Sequence, residues 1–209
     1  METVTSTDIS PSCPVKFGTD GWRGVIAEDF TFDTLSVAAS AIANYILAEE
    51  DPKRGICIGY DTRFGSQRFA QAAAEAVASA GIAVRLAGSI VPTPALSYAV
   101  RNSGAAAGIM ITSSHNPYQW NGVKFKASYG GSGKPSMMAA IASHLGKPLP
   151  RATSAAEIVR VDFLQNYIQA IAGFADLKKI AASGYKFAID SMYGAGAGIL
   201  AGIFSRLEI

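Results

Sequence analysis

Apolar residues recur along this chain with two different periods, and the switches between them mark out its elements. From 34 to 50 the residues Leu35, Ala38, Ala39, Ile42 and Ile46 keep helical spacing until Asp51-Pro52 ends the run. Ile56-Cys57-Ile58-Gly59-Tyr60 is a short unbroken apolar stretch of the kind a buried strand makes. Phe69, Ala72, Ala73, Ala76, Val77 and Ala80 return to helical spacing, with Ser66 as the expected cap and Gly81 as the stop. A strand over 82–87 follows, and Val91-Pro92-Thr93-Pro94 turns the chain into a short helix around 96–100. The next strand runs over 107–112. Strict alternation then appears at 123–126, with Val123 and Phe125 facing one way and Lys124 and Lys126 the other. Strand–helix–strand–helix–strand order favours parallel pairing with right-handed crossovers, and the return through 123–126 adds an antiparallel strand. The predicted fold is therefore α/β: a three-layer α/β/α domain with a mixed, mostly parallel sheet.

The second half of the chain is less regular. Residues 128–135 form a glycine-rich loop, but Ser128 and Pro135 stand where a nucleotide-binding loop needs glycine and Ser/Thr. A helix carrying Met137, Met138, Ile141 and Leu145 follows, with His144 at its end. The Pro- and small-residue-rich stretch 148–157 reads as a linker. Beyond it, Phe163, Leu164, Tyr167, Ile168 and Ile171 line one helix face, and a further helix begins at Asp176 and ends at Ser183-Gly184. Phe187-Ala188-Ile189-Asp190 predicts a new strand. Glycines at 194, 196 and 198 then lead into a last helix, with Ile199 where a dinucleotide fingerprint needs its third glycine. The expected organisation is a disordered leader over 1–14, a first domain over 15–147, a linker over 148–157, and the start of a second similar domain over 158–209. One strand and one helix cannot bury a core, so a longer native protein is expected.

Composition narrows the function classes. The chain has 209 residues, is 49% hydrophobic and carries a formal charge of +2, with no dense basic stripe. That balance gives no reason to expect nucleic acid or a membrane as partner. Cys13 and Cys57 form no metal-binding pair, and a reducing cytoplasm is the expected location.

Candidate chemistry gathers where the strand over 107–112 ends. Thr112-Ser113-Ser114-His115-Asn116-Pro117 replaces an apolar run with hydroxyls, an imidazole and a turn, and Asn121-Gly122-Val123-Lys124 brings a lysine back beside it. Serine can hold a covalent intermediate, histidine and lysine can move protons, and lysine can hold phosphate. Upstream, Phe17-Gly18-Thr19-Asp20-Gly21-Trp22-Arg23-Gly24 is a tight turn whose amides and one guanidinium can converge on an anion. A Ser-His-Asp hydrolase is a poor fit: the serine lacks a Gly-x-Ser-x-Gly setting, and the only other histidine is His144.

These two segments resemble signatures of the α-D-phosphohexomutases, the family of phosphoglucomutase and phosphomannomutase. The usual form of the serine loop is Thr-Ala-Ser-His-Asn-Pro, so Ser113 takes the alanine position and Ser114 the position of the phosphorylated serine. The resemblance runs from 15 to the end of the chain, about two-fifths of a family member. It implies that Ser114 donates a phosphoryl group to a hexose monophosphate. A hexose 1,6-bisphosphate then returns the other phosphate, which moves phosphate between O1 and O6. It further implies that the Ser114 phosphate is one ligand of Mg²⁺. His115 and Lys124 become candidates for proton transfer, and Arg23 and Lys124 for holding phosphate. Asp61-Thr62-Arg63 is similar to a segment near the family's cleft, where a supporting role is expected.

The family's Asp-Gly-Asp-x-Asp-Arg metal loop, Gly-Glu-x-Ser-Gly sugar loop and Arg-x-Ser-Gly-Thr phosphate loop are absent from these 209 residues. The isolated chain is therefore expected to be inactive, with a non-catalytic phosphosugar-binding fragment as the alternative. Trp22 and Tyr118-Gln119-Trp120 lean toward a glucose/mannose substrate, with phosphoglucosamine mutase as the other possibility.

Overall fold

The computed structural model describes residues 15–205; the leader expected over 1–14, with Cys13, lies outside them. In chain order the elements are β1 (Gly21–Val25), α1 (Phe32–Glu49), β2 (Ile56–Tyr60), α2 (Ser66–Ser79), β3 (Val84–Ala87) and α3 (Thr93–Ser103). They continue with β4 (Ala107–Ile111), β5 (Trp120–Ala127), α4 (Pro135–Ser143), β6 (Ile158–Val161), α5 (Leu164–Phe174), α6 (Leu177–Ala181) and α7 (Ile199–Ser205). A single sheet has the order β1-β5-β4-β2-β3-β6. The pairs β4–β2, β2–β3 and β3–β6 are parallel, while β5 runs antiparallel to both β4 and β1. The predicted mixed, mostly parallel α/β sheet is what forms.

Helices cover both faces. Tyr45 of α1 packs edge-on against Phe125 of β5, and α1 also contacts α2 and α4. On the other face, Gly59 and Gly108 make room for Leu96 and Val100 of α3, which in turn contacts α5. Strands β2 and β4 are buried along their whole length, which is why both read as unbroken apolar runs. Each fully buried isoleucine there contributes roughly 1.5–3 kcal/mol.

Several local expectations differ from the structure. Helix α1 begins earlier than 34 because Thr31 and Thr34 form a reciprocal capping box. Ser66 does not cap α2; Gly65, with φ 71°, precedes the helix, and the Ser66 hydroxyl turns inward to Asp61. The short helix expected around 96–100 extends over the whole of α3, starting just after Pro92. Two differences are larger. Residues 158–161, expected to open a second domain, add the sixth strand to this sheet by pairing with β3. The stretch before them is not free: Ala152 and Ala156 donate backbone hydrogen bonds to the carbonyls of Ser79 and Ala78. Conversely, 187–190 form no strand, and Phe187 and Ile189 are over 40% exposed. Without a neighbouring strand in register, their backbone groups have nothing to pair with.

Candidate active site

The C-terminal ends of β2 and β4 lie side by side, as parallel pairing requires, and the loops leaving them meet. Open α/β sheets bind ligands at such ends. Ser114 sits three residues beyond β4, exposed, with φ 56° in the left-handed region that a residue with a Cβ seldom adopts. Two groups fix it there. The Thr112 hydroxyl accepts from the Ser114 amide at 3.0 Å, and the Arg63 guanidinium donates to the Ser114 carbonyl at 2.8 Å.

Arg63 does more than that. Its Nη2 also donates to the Asn116 carbonyl at 2.7 Å, and Nη1 donates to the carbonyls of Pro117 and Trp120, both at 2.9 Å. Asp61 anchors the guanidinium from behind, with Nε 3.3 Å from Oδ2. The same carboxylate accepts from the Thr112 hydroxyl at 2.6 Å and the Ser66 hydroxyl at 2.9 Å. Ser66 in turn accepts from the side-chain amide of the buried Asn121 at 2.9 Å, and Asn121 Oδ1 accepts from the Gly122 amide. A connected polar network thus runs from β5 through α2 and β2 to the serine loop. In the sequence Asp61 and Arg63 suggest only a supporting role, and nothing marks Thr112, Ser66 and Asn121 as members of this network. The Asp-x-Arg pair at a strand end was the visible signal.

Gly122 sets the spacing beneath the loop. A Cβ at this position would lie 2.6 Å from the Trp22 carbonyl oxygen and 2.8 Å from that of Thr112. Only glycine lets β1 and the start of the loop approach so closely.

The expected site residues meet unevenly. Ser114 and His115 line one open cavity of about 740 Å³, together with Asp61, Arg63, Thr112 and Asn116. Arg23 reaches the same loop, donating to Asn116 Oδ1 at 2.8 Å. His115 Nδ1 lies 3.5 Å from the Ser114 hydroxyl, at the limit of a hydrogen bond. His144 is the C-cap of α4, so no serine-hydrolase triad is assembled among the described residues. Lys124 shares its strand face with Gly122, the register partner of Arg23, but its ammonium is held by Asp20 at 2.8 Å. Lys126 reaches the same carboxylate at 3.2 Å, and the Ser132 hydroxyl donates to it at 2.6 Å. Burial alone would raise the Asp20 carboxyl. The hydrogen bonds from Lys124 and Ser132, with the nearby lysine charges, outweigh burial and hold it below its usual range.

Arg63 is committed to loop carbonyls and Asp61, and Lys124 and Lys126 are held by Asp20, whereas among the described residues Arg23 pairs with no carboxylate. A guanidinium so placed beside the serine loop suits an anion such as phosphate better than a cation. Among the same residues no three of His, Cys, Asp and Glu stand together as metal ligands. Both carboxylates near the loop are already occupied by hydroxyls and cations. These residues do not by themselves make up a Mg²⁺ site.

A family model described as "Phosphoglucomutase/phosphomannomutase, alpha/beta/alpha domain I" matches residues 14–150, more than half of the chain. The chain belongs to the α-D-phosphohexomutase family. Among curated relatives, phosphoglucosamine mutase 1 of Shewanella amazonensis is 35% identical over 194 residues, covering 91% of this chain and 43% of its own length. The phosphoglucosamine mutase of Caldicellulosiruptor bescii is 44% identical over 114 residues, 54% of this chain and 25% of that protein. Among solved structures, a "putative phosphomannomutase" from Thermus thermophilus superposes with a TM-score of 0.81 at 40% identity, over 93% of this chain and 44% of that one. The chain thus spans less than half the length of these relatives. No helix among the described residues is long and apolar enough to cross a membrane.

Proposed function

We propose that this chain supplies the phosphoserine domain of a hexose-phosphate mutase, with Ser114 as the phosphoryl carrier. The observation that carries the reading is the presentation of Ser114: exposed, clamped in a left-handed turn at a strand end, and flanked by cations. The phosphoserine passes its phosphoryl group to a hydroxyl of a hexose monophosphate, and the resulting hexose 1,6-bisphosphate returns its other phosphate to Ser114. Phosphoryl transfer demands positioning and charge stabilisation above all. Arg23 holds phosphate at the mouth of the loop. Lys124 exchanges Asp20 for phosphate when the ligand arrives, and either it or His115 carries the sugar hydroxyl proton. Mg²⁺, which this family generally uses, would supply charge stabilisation with the Ser114 phosphate as one ligand, and the described residues do not by themselves provide the others. The 209-residue chain alone does not turn over, and the complete enzyme works in the cytoplasm.

For the sugar, we favour glucosamine phosphate. The curated relatives carry the name phosphoglucosamine mutase. Trp22, on which a glucose/mannose preference partly rested, is buried and stacks on Phe30, so it is not available to a sugar. The mannose reading keeps one support, the name of the Thermus thermophilus structure. Coupled assays of the complete native polypeptide on the 1-phosphates of glucosamine, glucose and mannose test the proposal. Glucosamine 1-phosphate is expected to have the highest kcat/KM. A higher value for mannose or glucose would reverse the sugar assignment, and no turnover of any would overturn the mutase reading.

A further inference from the structure

We infer that Arg63 is the positioning residue of the reacting serine: its guanidinium, spread over four loop carbonyls, creates the turn that presents Ser114. The inference rests on Ser114 being the phosphoryl carrier, and the geometry gives Arg63 a task that charge alone cannot perform. Its two terminal nitrogens meet the carbonyls of Ser114, Asn116, Pro117 and Trp120 at 2.7–2.9 Å, while Nε is turned to Asp61. Nearly all the donors of the planar fork are thereby used, and the side chain is largely buried.

Carbonyls that converge on one point repel each other and would splay without a cation among them. Neutralising them lets the chain close through Asn116 N–H to Ser113 and Trp120 N–H to Pro117. The left-handed Ser114 is the residue this closure strains. A lysine would bring the charge but not the fork, and one ammonium with three donors cannot span four carbonyls. Arg63 touches no reacting atom in this arrangement. It acts through the backbone of the residues that do.

The test compares the complete native polypeptide, as parent, with its Arg63→Lys and Arg63→Met variants by amide hydrogen exchange, thermal unfolding, and phosphoryl uptake on Ser114 from glucose 1,6-bisphosphate, read by peptide mass. Arg63→Lys keeps the charge and most of the packing, so it serves if Arg63→Met fails to fold. In Arg63→Lys, exchange over 114–120 should rise about tenfold or more, with β2 and β4 unchanged. Ser114 phosphorylation should slow by a similar or larger factor, and the fall in the unfolding midpoint should be accompanied by faster exchange over 114–120 alone. A merely structural arginine would raise exchange throughout, β2 and β4 included, and leave phosphorylation of the folded protein at the parent rate. Parent-like loop exchange and parent-like phosphorylation in Arg63→Lys would overturn the positioning role. Should the parent itself never take up phosphate while the loop loosens in Arg63→Lys, the carrier reading fails and the clamp on this loop stands.

Discussion

Thr112→Val separates a hydroxyl from its shape at the centre of the network. Valine keeps the β-branched outline, so backbone preference and most packing survive. What is lost is the 2.6 Å hydrogen bond to Asp61 and the acceptor for the Ser114 amide at 3.0 Å. A hydrogen bond to a charged group contributes about 1.5–3 kcal/mol and a neutral one about 0.5–1.5 kcal/mol. Thr112 is 4% exposed, so water does not easily replace either. Together the loss is about 2–4 kcal/mol, a large fraction of the ~5–15 kcal/mol that holds a domain together. With a urea m-value of about 2 kcal/mol/M, the unfolding midpoint should fall by roughly 1–2 M. Thr112→Ser is the control. It retains both hydrogen bonds and loses one methyl, about 0.8 kcal/mol, so its midpoint should fall by less than half as much. Exchange of the Ser114 amide should accelerate in the valine variant alone. Equal midpoints for the two variants, or a valine midpoint at the parent value, would refute the network as the support of this loop.

Other outcomes follow from single contacts. The Ser113 hydroxyl is fully buried without a partner among the described residues, so Ser113→Ala should be at least as stable as the parent, gaining up to about 1 kcal/mol. A loss above about 0.5 kcal/mol in urea unfolding would contradict that. Asp20, held below its usual 3.8 by Lys124, Ser132 and Lys126 against the opposing effect of burial, contributes stability that is fully present above pH 3.8 and disappears as pH falls through its lowered value. Asp20→Asn should therefore cost about 1–3 kcal/mol at about pH 7, and the gap should narrow below pH 3.8. A gap that stays constant down to about pH 2 would sink this reading. Burial pushes the Cys57 thiol up, only partly offset by Ser103 and Arg85. Its peptide should resist iodoacetamide at about pH 7.5 in native buffer and label in urea, so native labelling at the unfolded rate would be the contrary result.

Much of this arrangement is legible from periodicity. The unbroken runs in β2 and β4 follow directly from burial on both faces, whereas β5 alternates in sequence although nearly all of it is buried. Lys126 on the polar side of that alternation is only 6% exposed, because Asp20 and Ser132 satisfy its ammonium. β6 escaped because Ile158-Val159-Arg160-Val161 is four residues long and becomes a strand only when β3 offers its edge. The reverse error at 187–190 has the same cause: strand-forming residues do not make a strand without a partner. Loop chemistry was visible as residue types but not as connections. Nothing in the local sequence indicates that Arg63 binds carbonyls more than fifty positions away, or that Lys124 rests on Asp20.

The most direct test of the central claim is the phosphorylation state of Ser114. The complete native polypeptide should be incubated with glucose 1,6-bisphosphate, digested, and the peptide carrying 112–117 examined by mass spectrometry. The account predicts one phosphoryl group on Ser114 and none on Ser113, with the label transferred off when a hexose monophosphate is added and absent in Ser114→Ala. Phosphate on another residue, or an unmodified Ser114 in a protein that nevertheless interconverts hexose phosphates, would contradict it.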